Sequence, residues 1–149
     1  MITKIVSGGQ TGVDRAALDL ALELGMPCGG WCPRGRRAED GSIGTCYPLQ
    51  ETPSEDYAQR TEWNVRDSDA TLVLVCGEVS GGTAQTVECA IRLSKPYFVL
   101  DLAHCSGSKE LHAWISRHKI SILNVAGPRE SKSSGIYREA LRVLRELLA

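Results

Sequence analysis

Four stretches of the chain begin as short apolar runs and then change to apolar positions that recur every three or four residues. Lys4-Ile5-Val6 leads to Val13, Ala17, Leu20, Ala21 and Leu24, where Gly25 and Pro27 stop the pattern. Such a switch predicts a strand followed by an amphipathic helix. Thr71-Leu72-Val73-Leu74-Val75 is an unbroken β-branched run, as expected of a parallel strand covered on both faces, and it precedes a helical pattern with Val87, Ala90 and Ile91. Tyr97-Phe98-Val99-Leu100 follows Lys95-Pro96 and leads to Leu111, Trp114, Ile115 and His118. Ile120 to Val125 leads to the cleanest stripe, Ile136, Ala140, Val143, Leu144 and Leu147, opposite a solvated face of Arg138, Arg142 and Arg145.

Between the first and second units lie a short apolar piece, Cys28 to Cys32, and a polar loop from Pro33 to Gln50. That loop is longer than most connections in a compact domain, which predicts either a lid or a disordered insertion. Thr52-Pro53-Ser54-Glu55 then reads as a helix start, with Thr52 as N-cap, Pro53 at the first helical position and Glu55 closing a capping box. The helix runs to about Arg66. Strands alternating with helices predict an α/β fold: one doubly wound, mainly parallel sheet of about five strands in a Rossmann-like three-layer sandwich. At 149 residues the whole chain, 1–149, is expected to form one domain.

Three glycine-rich segments fall where these strands end and the next helices begin. They are Ser7-Gly8-Gly9-Gln10-Thr11-Gly12, Ser80-Gly81-Gly82-Thr83 and Gly127-Pro128-Arg129-Glu130-Ser131-Lys132-Ser133-Ser134-Gly135. Backbone N–H groups at a helix start point at the positive end of the helix dipole, where anions bind. In doubly wound sheets ligands sit beyond the carboxyl ends of the strands. All three segments are therefore expected to converge on one phosphate-like or oxyanion ligand. The first is neither a Walker A loop, because no lysine follows its last glycine, nor a GxGxxG dinucleotide loop. Thr11 could alternatively cap the first helix with Asp14 as its partner, and Ser133 or Ser134 could cap the last.

Arg34 and Arg36, in Cys32-Pro33-Arg34-Gly35-Arg36-Arg37-Ala38-Glu39-Asp40-Gly41, add two guanidiniums suited to bidentate contact with such a ligand, or they belong to a solvated charge run. The candidate ligand set is thus Ser7, Gly8, Gly9, Gln10, Thr11, Arg34, Arg36, Ser80, Gly81, Gly82, Thr83, Gly127, Ser131, Lys132, Ser133 and Ser134. Trp63 and Trp114 read as core or interface anchors, and Trp31 as a residue beside the arginine loop within reach of a ligand. His112 and His118 read as helix-surface or packing residues.

The formal net charge of -1 gives no general attraction to nucleic acid or anionic membrane. With no signal-peptide pattern and no apolar run long enough to span a bilayer, a soluble cytoplasmic protein is expected. Cys28, Cys32, Cys46, Cys76, Cys89 and Cys105 then read as reduced thiols, with Cys76 and Cys89 as small core residues and no metal site in their spacing.

Gly81, Gly82 and Glu88 keep the spacing of the PGGxGTxxE signature of lysine-decarboxylase-like phosphoribohydrolases, with Ser80, Ala84 and Gln85 in place of its proline, third glycine and threonine. That likeness implies a catalytic Glu88 if the protein is an enzyme; otherwise Glu88 is solvated or pairs with Arg92 at i,i+4. Taken with residues 5–19, 30–41 and 124–131, the chain resembles the putative molybdenum carrier family of the Rossmann-like SLOG superfamily over nearly its whole length. The resemblance implies a non-catalytic binding or carrier protein for molybdenum cofactor, or for a related phosphorylated or oxyanionic small ligand. It also implies assembly into homodimers or homotetramers. A nucleotide-processing enzyme and a nucleotide-ligand sensor are the alternatives.

Overall fold

The computed structural model describes residues 1–104 and 108–149, so Cys105 lies outside the described residues. Strands β1 (Lys4–Val6), β2 (Cys28–Gly29), β7 (Ala70–Val75), β8 (Tyr97–Asp101) and β9 (Ile122–Ala126) form one parallel sheet in the order β2-β1-β9-β7-β8. Every residue of β7 is buried, which is what its unbroken apolar run requires of an interior strand. Helices α1 (Val13–Glu23), α4 (Ser108–Arg117) and α5 (Ile136–Leu148) cover one face, and α2 (Tyr57–Arg66) and α3 (Gly81–Arg92) pack together on the other. Alternate strand side chains divide accordingly. Ile5, Leu72, Leu74, Leu123 and Val125 join the large core with α1, α4 and α5, whereas the α2–α3 side carries only a small apolar cluster of Val65, Cys89 and Ala90. Buried polar residues, among them Thr61, Asn64, Thr71, Thr86 and Asn124, occupy much of the remainder. None of the described helices is long and apolar enough to cross a membrane.

The segment expected to be a lid or a disordered insertion is instead a folded lobe. Gly30, at φ 136°, breaks the apolar piece into β2 and a separate β3 (Trp31–Cys32), which pairs in parallel with β6 (Gln50–Glu51). Between them, β4 (Arg37–Ala38) and β5 (Gly41–Ser42) form an antiparallel hairpin. Leu18, Cys32, Ala38, Ile43 and Leu49 bury one another beneath it, giving the polar loop an apolar floor too sparse to show as a periodicity.

Arg36 ties the lobe together from inside. Its guanidinium donates to the carbonyls of Ile43 (3.0 Å), Leu49 (3.2 Å), Gly44 (2.8 Å) and Tyr47 (2.8 Å). The lobe is then fastened to the sheet domain at several points. Arg15 bridges the Gly9 carbonyl and Asp40, and the hydroxyls of Tyr47 and Tyr137 both donate to Asp19. Burial and the Asp19 carboxylate push the Tyr137 hydroxyl up to about 12, so this link is protonated throughout the physiological range.

All three helix starts depart from the expected caps. Thr52 is recruited by the β3–β6 pair, its N–H and hydroxyl both donating to the Cys32 carbonyl, and α2 begins at Tyr57 rather than Pro53. Gly12, at φ 80°, is the residue before α1, and the Thr11 hydroxyl donates to Glu39 instead of capping. At α5 the Glu130 carboxylate accepts from the N–H groups of Gly135 (2.6 Å) and Tyr137 (3.0 Å), so neither Ser133 nor Ser134 caps it.

Candidate functional site

The three glycine-rich loops follow β1, β7 and β9, adjacent strands that end on the same edge of the sheet. A cavity of about 360 Å³ opens there. The second loop supplies Ser80, Gly81, Gly82 and Thr83, the third supplies Gly127, Lys132 and Ser133, and the first supplies Gln10. The N–H groups of Thr83 and Ala84 turn back to the Ser80 carbonyl, and the Ser80 side chain forms no cap bond. This leaves the N–H groups of Gly81 and Gly82 at the open end of α3, without the intrahelical acceptors that residues further along obtain. A β-carbon built on Gly82 meets nothing within 4 Å, so the approach is clear. Lys132, also lining the cavity, is exposed, and its backbone N–H donates to the Arg129 carbonyl.

Other residues expected at the ligand support the site or lie away from it. Ser7 is buried, its hydroxyl on the Asp14 carbonyl at 2.8 Å. Gly8 leaves room for the Arg60 guanidinium, which a β-carbon there would overlap, and Gly9 packs against Leu49 and Ile43 of the lobe. Thr11 and Ser131 are both engaged by Glu39. Burial alone would raise that carboxyl, but the hydrogen bonds from Ser131 and Thr11 outweigh it and hold Glu39 below its ordinary value. Ser134 opens on a neighbouring depression beside the start of α5. Arg34 is exposed and paired with Glu55 at 3.1 Å, and Arg36 is committed to the four lobe carbonyls; neither lines the cavity. Trp31 turns to Trp63, ring centroids 4.8 Å apart, and donates to Asp67.

Cys76, expected in the core, is exposed in the cavity wall because β7 ends one residue before it. Cys89 is buried as expected. Among the described residues, no group of His, Cys, Asp or Glu is arranged to hold a metal ion. Glu88 faces a different groove, between α2 and α3, with Gln59 and Gln85. Its i,i+4 neighbour Arg92 pairs with Glu62 at 2.9 Å instead.

The cavity also contains residues absent from the expected set: Asp14, Tyr57, Arg60, Thr61, Glu78 and Arg129. Asp14 and Arg60 form an ion pair at 3.3 Å, with side chains only 5% and 14% exposed. Burial pushes the Asp14 carboxyl up, against the pull of Arg60 and of the Gln10 N–H, and the net shift is upward. Arg60 Nε is buried and, among the described residues, is the buried side-chain nitrogen or oxygen with no hydrogen-bond partner. One signal could have found this wall. Tyr57, Arg60, Thr61 and Asn64 stand at i, i+3, i+4 and i+7 on a helix that covers a sheet, a polar stripe where an apolar one is the rule.

Residues 5–148 match the circularly permutated YpsA SLOG family. The chain is also similar to a putative molybdenum carrier protein from Syntrophus aciditrophicus, at 46% identity and a TM-score of 0.97, over 99% of this chain and 96% of that one. No curated protein matches it.

Proposed function

Because the chain belongs to the circularly permutated YpsA SLOG family, we propose that the cavity at the ends of β1, β9 and β7 binds a phosphorylated or oxyanionic small molecule and that the protein acts as its carrier. Molybdenum cofactor or a related ligand is the cargo that the similarity to a putative molybdenum carrier protein supports. The observation that carries the reading is the meeting of separate loops at one cavity: Gly81 and Gly82, at the start of α3, line it together with Lys132 and Ser133 of the loop before α5. Helix-start amides and a lysine are the donor set that a phosphate monoester takes. The volume falls within the roughly 300–1,000 Å³ of small-molecule pockets. Mass spectrometry of small molecules released from the purified native protein tests the identity. A phosphorylated pterin supports the carrier reading, and a nucleotide in its place would transfer the site to the sensor alternative.

The enzyme alternative needs Glu88 at the ligand, and Glu88 faces the other groove. Glu88→Gln is therefore expected to leave ligand binding unchanged, and the wild-type protein to release no free base from nucleoside monophosphates above background. Release of base by wild type that Glu88→Gln abolishes would establish the enzyme instead.

Assembly with further copies of the chain is supported by Tyr97 and Val99 on the edge strand β8 and by Ile91 on α3, which are 38%, 37% and 60% exposed. Apolar side chains beside an unpaired strand edge favour burial against another molecule.

A further inference from the structure

We infer that Tyr57 anchors a second anion subsite, formed by the guanidiniums of Arg37, Arg60 and Arg129, and that the ligand is a small molecule carrying two separate anionic groups. The inference rests on the binding role proposed above but not on the α3 end of the cavity. The guanidinium carbons of Arg37, Arg60 and Arg129 lie 5.2, 5.3 and 5.9 Å from the centroid of the Tyr57 ring. They come from the lobe hairpin, from α2 and from the loop before α5, so no single helical or strand periodicity brings them together.

One cation over an aromatic face is ordinary packing. Three around one ring repel one another, and the carboxylates nearby answer them only in part. Asp14 is paired with Arg60, while Glu39 lies 3.8 Å from Arg129 and already accepts from Thr11 and Ser131. Glu78 lines the same cavity. Arg37 enters no ion pair among the described residues. Arg60 keeps its buried Nε donor unused beside this cluster.

Planar guanidiniums converging from several sides match the oxygens of a phosphoryl or other tetrahedral oxyanion, which would relieve their repulsion. Arg37 stands on the lobe, outside the residues that line the cavity, so the cluster extends the site from the sheet edge toward the lobe. The Gly81–Gly82 amides and Lys132 then take one anionic group and the arginines the other.

The test is an NMR titration of the 15N-labelled protein with inorganic phosphate, following the Gly82 amide and the Nε–H signals of Arg60 and Arg129. Two saturable responses with different dissociation constants are expected. Arg37→Ala, at an exposed position, should weaken the arginine response about tenfold and leave the Gly82 response unchanged. Lys132→Ala should do the reverse. An arginine response that persists when the Gly82 response is absent would remove the α3-centred site and leave this one standing. Arginine signals that do not move, or that move with a single constant shared with Gly82 and weaken alike in both variants, overturn the second subsite.

Discussion

Arg36→Met is expected to destabilise the protein by about 3 kcal/mol, with a fall in melting temperature of roughly 6–12 °C for a chain of this length. Hydrogen bonds to a charged group contribute about 1.5–3 kcal/mol each, and Arg36 makes four of them to the carbonyls of Gly44, Tyr47, Ile43 and Leu49. Its partial exposure and the access of water to the abandoned carbonyls keep the total well below the sum. Methionine retains the unbranched stem and isolates the loss of the donors. Arg36→Lys should recover little, since one ammonium cannot span carbonyls spread over the loop. Urea unfolding measures the loss. Hydrogen exchange should place it in the lobe, with amides of residues 33–51 exchanging faster while β7 and β9 stay protected. A loss under about 1 kcal/mol, or faster exchange spread over the whole sheet, would show that Arg36 does not organise the lobe.

Arg60→Met should cost about 3–5 kcal/mol at neutral pH, because it leaves the Asp14 carboxylate buried without its partner. The double variant Asp14→Asn, Arg60→Met should regain much of that loss, as removing both charges removes the desolvation penalty. The pH dependence has a definite sign. Burial raises the Asp14 carboxyl above its ordinary value of 3.8 even with Arg60 present, and removing Arg60 raises it further. A group that holds its proton more tightly in the folded state makes folding less favourable as pH rises from the unfolded value through the folded one. The deficit of Arg60→Met relative to wild type should therefore be smallest below about pH 4 and grow as pH rises. A deficit independent of pH, or one that grows on acidification, would mean that Asp14 is not the group left stranded.

The parts of the fold that were legible are those in which one chain segment determines its own environment. The strand runs at Lys4-Ile5-Val6 and Thr71 to Val75 and the stripe of α5 state their burial directly, because the period of the apolar residues is the period of the element. The shared sheet edge of the three glycine loops follows from the same alternation, and with it the Gly81, Gly82, Lys132 and Ser133 walls of the cavity. What was not legible depends on partners distant in sequence. Thr11 and Ser131 have the chemistry of ligand contacts, yet Glu39, far from both along the chain, takes them. Arg34, Arg36 and Arg37 are equivalent as a charge run, and only the fold sends Arg34 to Glu55, Arg36 into the lobe and Arg37 to Tyr57. The lobe itself does not show in the periodicity because its few apolar residues, Ala38, Ile43 and Leu49, are irregularly spaced and complete their cluster with Cys32 and with Leu18 of α1.

Anion binding at the edge of the sheet between the glycine loops should register in thermal unfolding in the presence of ligands. A molecule that binds only the folded chain adds RT ln(1 + [L]/Kd), about 2.7 kcal/mol at a hundredfold excess over Kd, which corresponds to a rise of roughly 5–10 °C in melting temperature. Molybdate, tungstate, sulfate, nucleoside monophosphates and molybdenum cofactor should be compared, with molybdenum cofactor expected to act at the lowest concentration. Lys132→Ala, which removes an exposed ammonium and should leave the unliganded melting temperature nearly unchanged, is expected to shift the response of the best ligand to at least about tenfold higher concentration. A melting temperature that no phosphorylated or oxyanionic compound moves, or a concentration series on which Lys132→Ala and wild type coincide, would contradict the anion site.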